Sequence, residues 1–279
     1  MMRPMRTPEL TLTPDAIATA AHTLASRRLS GEVGAALPAA CRPRTLHDAW
    51  AVQNAVTQDL AERVQERVVG WKCGLPGSGT WVLAPLYASA LYGGAATAGS
   101  ATACPVWTRQ GQVKVEPELA FVIGRDLPPR VQPYGVDEVR AAVVSAHLAL
   151  ELIDNRYDDS ETLQFADRLA DGLVNQGLYL GPEVELGLAL ATQTLDIAVT
   201  EEGQPLLSQP GTHPAGDPLA PLCWLAEFLR SQGQGLQAGQ VVITGSYAGA
   251  PWVPVGPRLC VRFGALGDIP VRFQARPRA

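Results

Sequence analysis

A chain of 279 residues that is 47% hydrophobic and only 18% charged has the composition of a packed globule, burying roughly three quarters of its extended surface by area scaling. A net charge of −5 without any basic run argues against a nucleic-acid face, where clustered lysine and arginine neutralise phosphates. Only Lys72 and Lys114 among the 22 basic residues are lysines, so arginine fills the other twenty positions.

The opening MMRPMRTPELTLTP has no apolar core of signal-peptide length. The longest apolar stretch, Val143 to Ile153, is interrupted by Ser145, His147 and Glu151. Neither secretion nor a membrane span is expected, and five cysteines without a CxxC fit reduced thiols in a cytoplasm. With four histidines and none at helical pairing distance, a zinc-type site lacks ligands, so any metal is expected to be held by oxygen.

In chain order, Thr13-Pro14-Asp15 predicts a capped helix through AIATAAHTLASRR. A second helix is expected from Thr45 to about Val68, opened by a Thr-x-x-Asp cap and carrying Leu46, Trp50, Val52, Val56, Leu60 and Val64 at near-helical spacing. The chain then becomes short β-type runs punctuated by glycine and proline: VKVEPELAFVIG, GLYLG, LDIAVT, QVVITG, LCVRFG and IPVRF. Helical interruptions are expected at VDEVRAAVVSAH, ETLQFADRLADGL and PLAPLCWLAEFLRSQ, the last closed by Gly233. A hairpin is expected to turn at Glu202-Gly203. The pattern predicts an α+β fold: a mainly helical region over 1–70, then a β-rich body over 71–279 with inserted helices.

Glycine-rich dinucleotide and P-loop patterns fail, because GLPGSG is not GxGxxG and no glycine loop ends in Lys-Ser or Lys-Thr. GSYAG lacks the serine placement of a nucleophile elbow, and Cys73 on a short apolar strand reads as packing rather than as a nucleophile. A carboxylate constellation stands out instead. Glu116 and Glu118 are two apart on a predicted strand, so both leave one face and can share a cation. Without a cation the pair would belong on a solvated face, but the apolar run Leu119 to Ile123 that follows is a poor match for one. Glu151 comes after some ten mostly apolar residues, where a lone carboxylate costs several kcal/mol unless paired or metal-bound. A salt bridge to Arg140 or Arg156 is the competing reading for Glu151. Three such carboxylates suit Mg²⁺ or Mn²⁺. Lys72, on a short strand running into a glycine-rich turn, can bind a carboxylate, stabilise an enolate or transfer a proton, the last being closed to arginine. Lys114 reads as a local charge partner on the Glu116 face.

GWKCGLPG, VEPELAFVIGRDLP, LALELIDNR, LADGLVNQGLYLG and the stretch from GQVVITGSYAGAPW to DIPVRF resemble, in order, signature segments of one enzyme group. It comprises the 2-keto-4-pentenoate and 2-oxo-hepta-3-ene-dioate hydratases, with the related 4-oxalocrotonate decarboxylases, in the fumarylacetoacetate hydrolase superfamily. TLHDAWAVQ also resembles that group's amino-terminal helix. The resemblance implies a rolled-sheet body with a Mg²⁺ or Mn²⁺ site, Glu116 and Glu118 as its Glu-x-Glu pair and Glu151 as third ligand. It implies a catalytic Lys72 and a substrate-binding Thr244, and puts Asn175-Gln176 where a small hydroxyl residue is usual, with Gln176 taken as substrate-binding. The activity implied is metal-dependent hydration of a small 2-hydroxy-dienoate or 2-oxo-enoate acid from aromatic meta-cleavage catabolism. An acylpyruvate-type hydrolase, a 2-oxo acid decarboxylase and a non-catalytic partner subunit are the alternatives. A homo-oligomer and a complex with a neighbouring pathway enzyme are further expectations. The chain departs from the hydratases after GLPG, where SGTWVLAPLYASALYGG lacks their acid/base aspartate.

Overall fold

Thr13 opens the first helix, α1 (Pro14–Ser30), by accepting a 3.3 Å hydrogen bond from the Ala16 backbone, and Gly31 in the left-handed region ends it. The second, α2 (Leu46–Val64), starts on a reciprocal box between Thr45 and Asp48. It stops short of the expected Val68 because Gln65 turns left-handed (φ 57°) and Val68 already belongs to a strand. The computed structural model describes residues 10–93, 102–158 and 162–277.

The body holds strands β1 (Val68–Gly74), β2 (Val82–Tyr87), β3 (Leu91–Gly93), β4 (Thr102–Val106), β5 (Gln112–Ile123), β6 (Val143–Ile153) and β7 (Asn175–Val184). They are followed by β8 (Thr194–Glu201), β9 (Gln204–Thr212), β10 (Val241–Ile243), β11 (Trp252–Pro254), β12 (Leu259–Phe263) and β13 (Gly267–Ala275). One sheet runs β2-β1-β10-β5-β6-β7-β3, with β11 also paired to β5, and a second runs β4-β13-β12-β8-β9. Helices first and a β-rich body after is the order the sequence predicts. The β8–β9 hairpin turns at Glu202 (φ 47°) and Gly203 (φ 84°), two left-handed residues as a tight primed turn requires.

Short helices α3 (Val136–Arg140), α4 (Phe165–Ala170) and α5 (Leu186–Ala191) precede α6 (Ala220–Ser231). One expectation is corrected here: the helix over VDEVRAAVVSAH covers only Val136–Arg140, and Val143–His147 lie in β6. The branched Val143 and Val144 suit a strand, and pairing with β5 on one side and β7 on the other outweighs the helical reading.

One apolar core joins α1, α2, α6 and both sheets, including Leu24, Trp50, Phe228, Leu148 and Phe263. Trp71 on β1 faces this core, 6.3 Å from the Trp50 ring, so the adjacent Lys72 points the other way. At Gly70 an added Cβ would collide with the Val241 carbonyl oxygen. Glycine there lets β1 approach β10 closely and sets Lys72 opposite Ile243.

Candidate metal centre

The antiparallel register of β5 and β6 puts Glu116 directly opposite Glu151, and Glu118 follows two residues along the same face. Like charges directly opposite in a sheet repel, and two of these carboxylates are buried, Glu118 at 3% and Glu151 at 0% exposure. One carboxylate oxygen from each of the three lies within 4.8 Å of the others. Burial first, and then the Glu151 charge, pushes the Glu116 carboxyl up to about 7, against the pull of Lys72. Burial likewise raises Glu118 well above the ordinary carboxylate range, reinforced by Glu151 and Glu116.

Partners around the cluster are partial. Lys72 Nζ donates to Glu151 Oε1 (2.6 Å) and to the Leu173 carbonyl (3.3 Å). Asn175 Nδ2 donates to the same Glu151 oxygen at 2.9 Å, and the Gly245 amide donates to Glu118 Oε2 at 2.6 Å. Glu151 Oε2 is buried with no hydrogen-bond partner among the described residues. Three converging carboxylates, one lysine and an orphaned buried oxygen fit an oxygen-ligated divalent cation such as Mg²⁺ or Mn²⁺. Burial works against the Lys72 ammonium, but the charges of Glu151, Glu116 and Glu118 outweigh it and raise its pKa.

The cluster faces a cavity of about 450 Å³ whose apolar wall is Leu75, Val82, Leu173 and Pro214. Thr244, just beyond β10, also lines it. His213 Nδ1 accepts from the Ala215 amide (3.2 Å), so the ring hydrogen sits on Nε2, 3.3 Å from Thr244 Oγ1. Burial lowers His213 to about 4, which keeps the ring neutral. The Thr244 oxygen thus accepts from His213, and its own hydrogen is left to point at a ligand. Cys73 lines the cavity too, but burial holds its thiol well above the usual range, as packing requires.

The backbone beside this cavity is strained. Gly172, Leu173 and Val174 are all left-handed, with φ of 75°, 51° and 60°, a conformation that costs a bulky residue about 1–3 kcal/mol. The turn aims the Leu173 carbonyl at Lys72, and Leu173 lines the cavity.

The family model described as fumarylacetoacetate (FAA) hydrolase C-terminal matches residues 81–273, well over half of the chain. The chain belongs to the fumarylacetoacetate hydrolase family. Within it, a 2-keto-4-pentenoate hydratase of Paraburkholderia phymatum is 28% identical over 265 residues, covering 92% of this chain and 97% of that protein. A 4-oxalocrotonate decarboxylase of a Pseudomonas species is 30% identical over 155 residues, covering 53% of this chain and 55% of that one. Among solved structures, 4-oxalocrotonate decarboxylase from Pseudomonas putida G7, complexed with magnesium and adipate, matches with a TM-score of 0.77. It is 21% identical and covers 95% of this chain and 100% of that chain, a likeness of fold.

On this fumarylacetoacetate hydrolase scaffold, Lys72, Glu116, Glu118, Glu151 and Thr244 come together around one cavity. Gln176 does not. Its amide accepts from the Trp107 backbone (2.8 Å) and donates to the Trp107 and Ile153 carbonyls (3.2 and 3.0 Å), on the side of β7 away from the cluster. The neighbouring Asn175 reaches Glu151 instead. The salt bridge proposed for Glu151 is also different, since Arg156 pairs with Asp171 and Lys72 takes Glu151. His213 and Leu173 carried no signal in the sequence, because their roles depend on a tertiary contact and on a backbone conformation.

Proposed function

We propose that this family member is a divalent-metal-dependent hydro-lyase acting on a small 2-hydroxy-dienoate or 2-oxo-enoate acid, with Glu116, Glu118 and Glu151 holding Mg²⁺ or Mn²⁺. The observation that carries this reading is the carboxylate triad, two of its members buried, with one orphaned oxygen beside a lysine. Similarity to hydratases over nearly the whole chain supports the reaction class. A divalent cation in the triad supplies Lewis acidity to the oxygens of a 2-oxo acid head group.

The chain's own residues do the rest. An ammonium has three N–H donors, and Lys72 spends two on Glu151 and Leu173, leaving one for the ligand. In the metal-free protein the charges of Glu151, Glu116 and Glu118 hold the proton on Nζ. As a cation fixed beside Glu151, Lys72 stabilises negative charge developing on the substrate oxygen. Thr244 Oγ1, held by His213, donates to the substrate carboxylate. Leu75, Val82, Leu173 and Pro214 pack the hydrocarbon chain. No aspartate follows GLPG, and Lys72 is the one cation among the described residues lining this cavity.

The test is turnover of freshly made 2-hydroxypenta-2,4-dienoate, followed by loss of its diene absorbance. EDTA and Glu118→Gln should each abolish it, and Mg²⁺ or Mn²⁺ should restore the chelated enzyme. Unchanged rates in EDTA would remove the metal from the reading. Cleavage of acylpyruvates with the dienoate ignored would assign a C–C hydrolase instead.

A further inference from the structure

A single extra residue in β7 aims Asn175 at the carboxylate cluster. Along the β6–β7 ladder Leu152 lies opposite Gly177, but Ile153 lies opposite Asn175, so Gln176 is inserted between two paired positions. A bulge of this kind re-aims the side chains beside it. Glu151 pairs with Leu178, and strict alternation from Leu178 would put Gln176 on the Glu151 face. The bulge turns Gln176 away toward Trp107 and gives that place to Asn175.

Asn175 is buried and held from two sides. Its backbone amide donates to the Gly172 carbonyl at 3.1 Å, which ties it to the left-handed turn. Its side-chain Nδ2 donates to Glu151 Oε1 at 2.9 Å and to the Gly177 carbonyl at 3.2 Å. Both amide hydrogens are thereby spent on acceptors, and a flipped amide would turn its oxygen on the same two acceptors. A carboxylate oxygen has two lone-pair sites. Glu151 Oε1 fills one with Asn175 and the other with Lys72 Nζ, 2.6 Å away. Oε2 stays buried without a partner among the described residues. Glu151 therefore has one oxygen saturated by donors and one free.

We propose that Asn175 is a positioning residue that makes Glu151 a one-oxygen donor and so biases the centre toward Mg²⁺ or Mn²⁺ and against Ca²⁺. The inference rests on the metal reading above. Ca²⁺ takes about six to eight oxygens and is well served by carboxylates that give both of theirs, whereas Mg²⁺ demands a smaller, near-octahedral set. With Oε1 occupied, Glu151 can give its second oxygen only by displacing Asn175 or Lys72. A neutral amide blocks Oε1 without adding a charge that would repel every cation, which a second lysine could not do. Partners behind a metal ligand fix its orientation in this way and contribute to affinity although they never touch the ion.

The experiment is calorimetric titration of the chelator-treated full chain with Mg²⁺, Mn²⁺ or Ca²⁺ alone, for wild type, Asn175→Leu and Asn175→Ser. Leucine keeps the volume and removes the donor, while serine is too short to reach Glu151 and keeps a polar group in the buried position. In both variants Mg²⁺ and Mn²⁺ affinity should fall by about tenfold or more, the scale for losing a partner behind a metal ligand. Ca²⁺ affinity should hold or rise, so the preference for Mg²⁺ over Ca²⁺ drops by the same factor. Unchanged Mg²⁺ affinity overturns the proposal. An equal loss for all three ions overturns it too, since that would make Asn175 packing alone. The wild type should itself bind Mg²⁺ more tightly than Ca²⁺, and the reverse order overturns the proposal whether or not the variants fold. A wild type that binds none of the three ions would instead overturn the metal reading on which the proposal rests.

Discussion

Lys72 Nζ donates to Glu151 Oε1 over 2.6 Å, with the carboxylate fully buried and the lysine only 9% exposed. Attraction in such a pair is largely offset by desolvation, yet removing one partner strands a charge at a cost of about 3–5 kcal/mol. Lys72→Met should therefore lower Tm as well as activity. Lys72→Arg keeps a cation but brings a planar, bulkier group that does not release a proton. It is expected to melt close to wild type while kcat falls by about tenfold or more, equivalent to about 1.4 kcal/mol of barrier. Thermal melts and dienoate turnover on the two variants check this, and full turnover by Lys72→Arg would refute the assigned role.

Metal-free protein should lose stability as pH rises, the reverse of the usual carboxylate behaviour. Burial and the Glu151 charge raise Glu116 to about 7, and burial raises Glu118 in the same direction. An unfolded glutamate titrates near about 4.3. Above that pH the folded state binds protons that the unfolded chain has released, so stability falls as pH rises from about 4.3 through about 7. A divalent cation favours the ionised carboxylates, so its stabilisation should grow across the same window. Melting curves in EDTA and in Mg²⁺ from about pH 5 to about pH 8 should diverge steadily, and a constant gap would contradict the buried triad.

Much of this centre is legible in the chain because charge placed in apolar sequence is costly. Glu116 and Glu118 stand out by alternation ahead of an apolar run, Glu151 by its apolar surroundings, and Lys72 by the scarcity of lysine. That Glu116 and Glu151 face each other is not legible, since it depends on the register of two strands separated by α3. That Asn175 rather than Gln176 faces Glu151 is not legible for a related reason. One residue decides the face of a strand, and the β6–β7 register shifts between Leu152 and Ile153, where Asn175 pairs. The helix read through Val143 and Val144 fails because pairing on both sides of β6 overrides a local pattern.

His213 supplies a positioning test. Its Nε2 hydrogen is directed at Thr244 Oγ1, 3.3 Å away, and the ring stays neutral because burial lowers it to about 4. His213→Ala should raise KM several-fold, with a smaller effect on kcat and no change in the pH profile between about 5 and 8. His213→Gln should recover most of the affinity, because an amide can accept from Ala215 and donate to Thr244. Thr244→Val should raise KM in the same way, and the double variant should be no worse than Thr244→Val alone. Steady-state kinetics on this set decide the matter, and additive losses would show that His213 acts elsewhere.

Arg156 and Asp171 support the site from behind. Arg156 Nε donates to Asp171 Oδ1 at 2.6 Å and its Nη2 to the Asp171 carbonyl at 2.7 Å, with both side chains 2% exposed. Arg28 Nη2 donates to the same carbonyl at 3.4 Å, and burial followed by the Arg156 charge lowers its pKa to about 10. Asp171→Asn removes the carboxylate paired with Arg156 in a buried site and should cost about 3–5 kcal/mol. Replacing Asp268 by Asn in the solvent-exposed pair Arg262–Asp268, with side chains 63% and 38% exposed, should change stability far less. Because Asp171 leads directly into the left-handed turn whose Leu173 carbonyl holds Lys72, Asp171→Asn should also reduce turnover at temperatures where the variant is still folded. Denaturant titrations of the two variants, with turnover measured well below each midpoint, separate these effects. Equal stability losses, or an Asp171→Asn enzyme with wild-type turnover, would show that this buried pair neither holds the fold nor sets the turn.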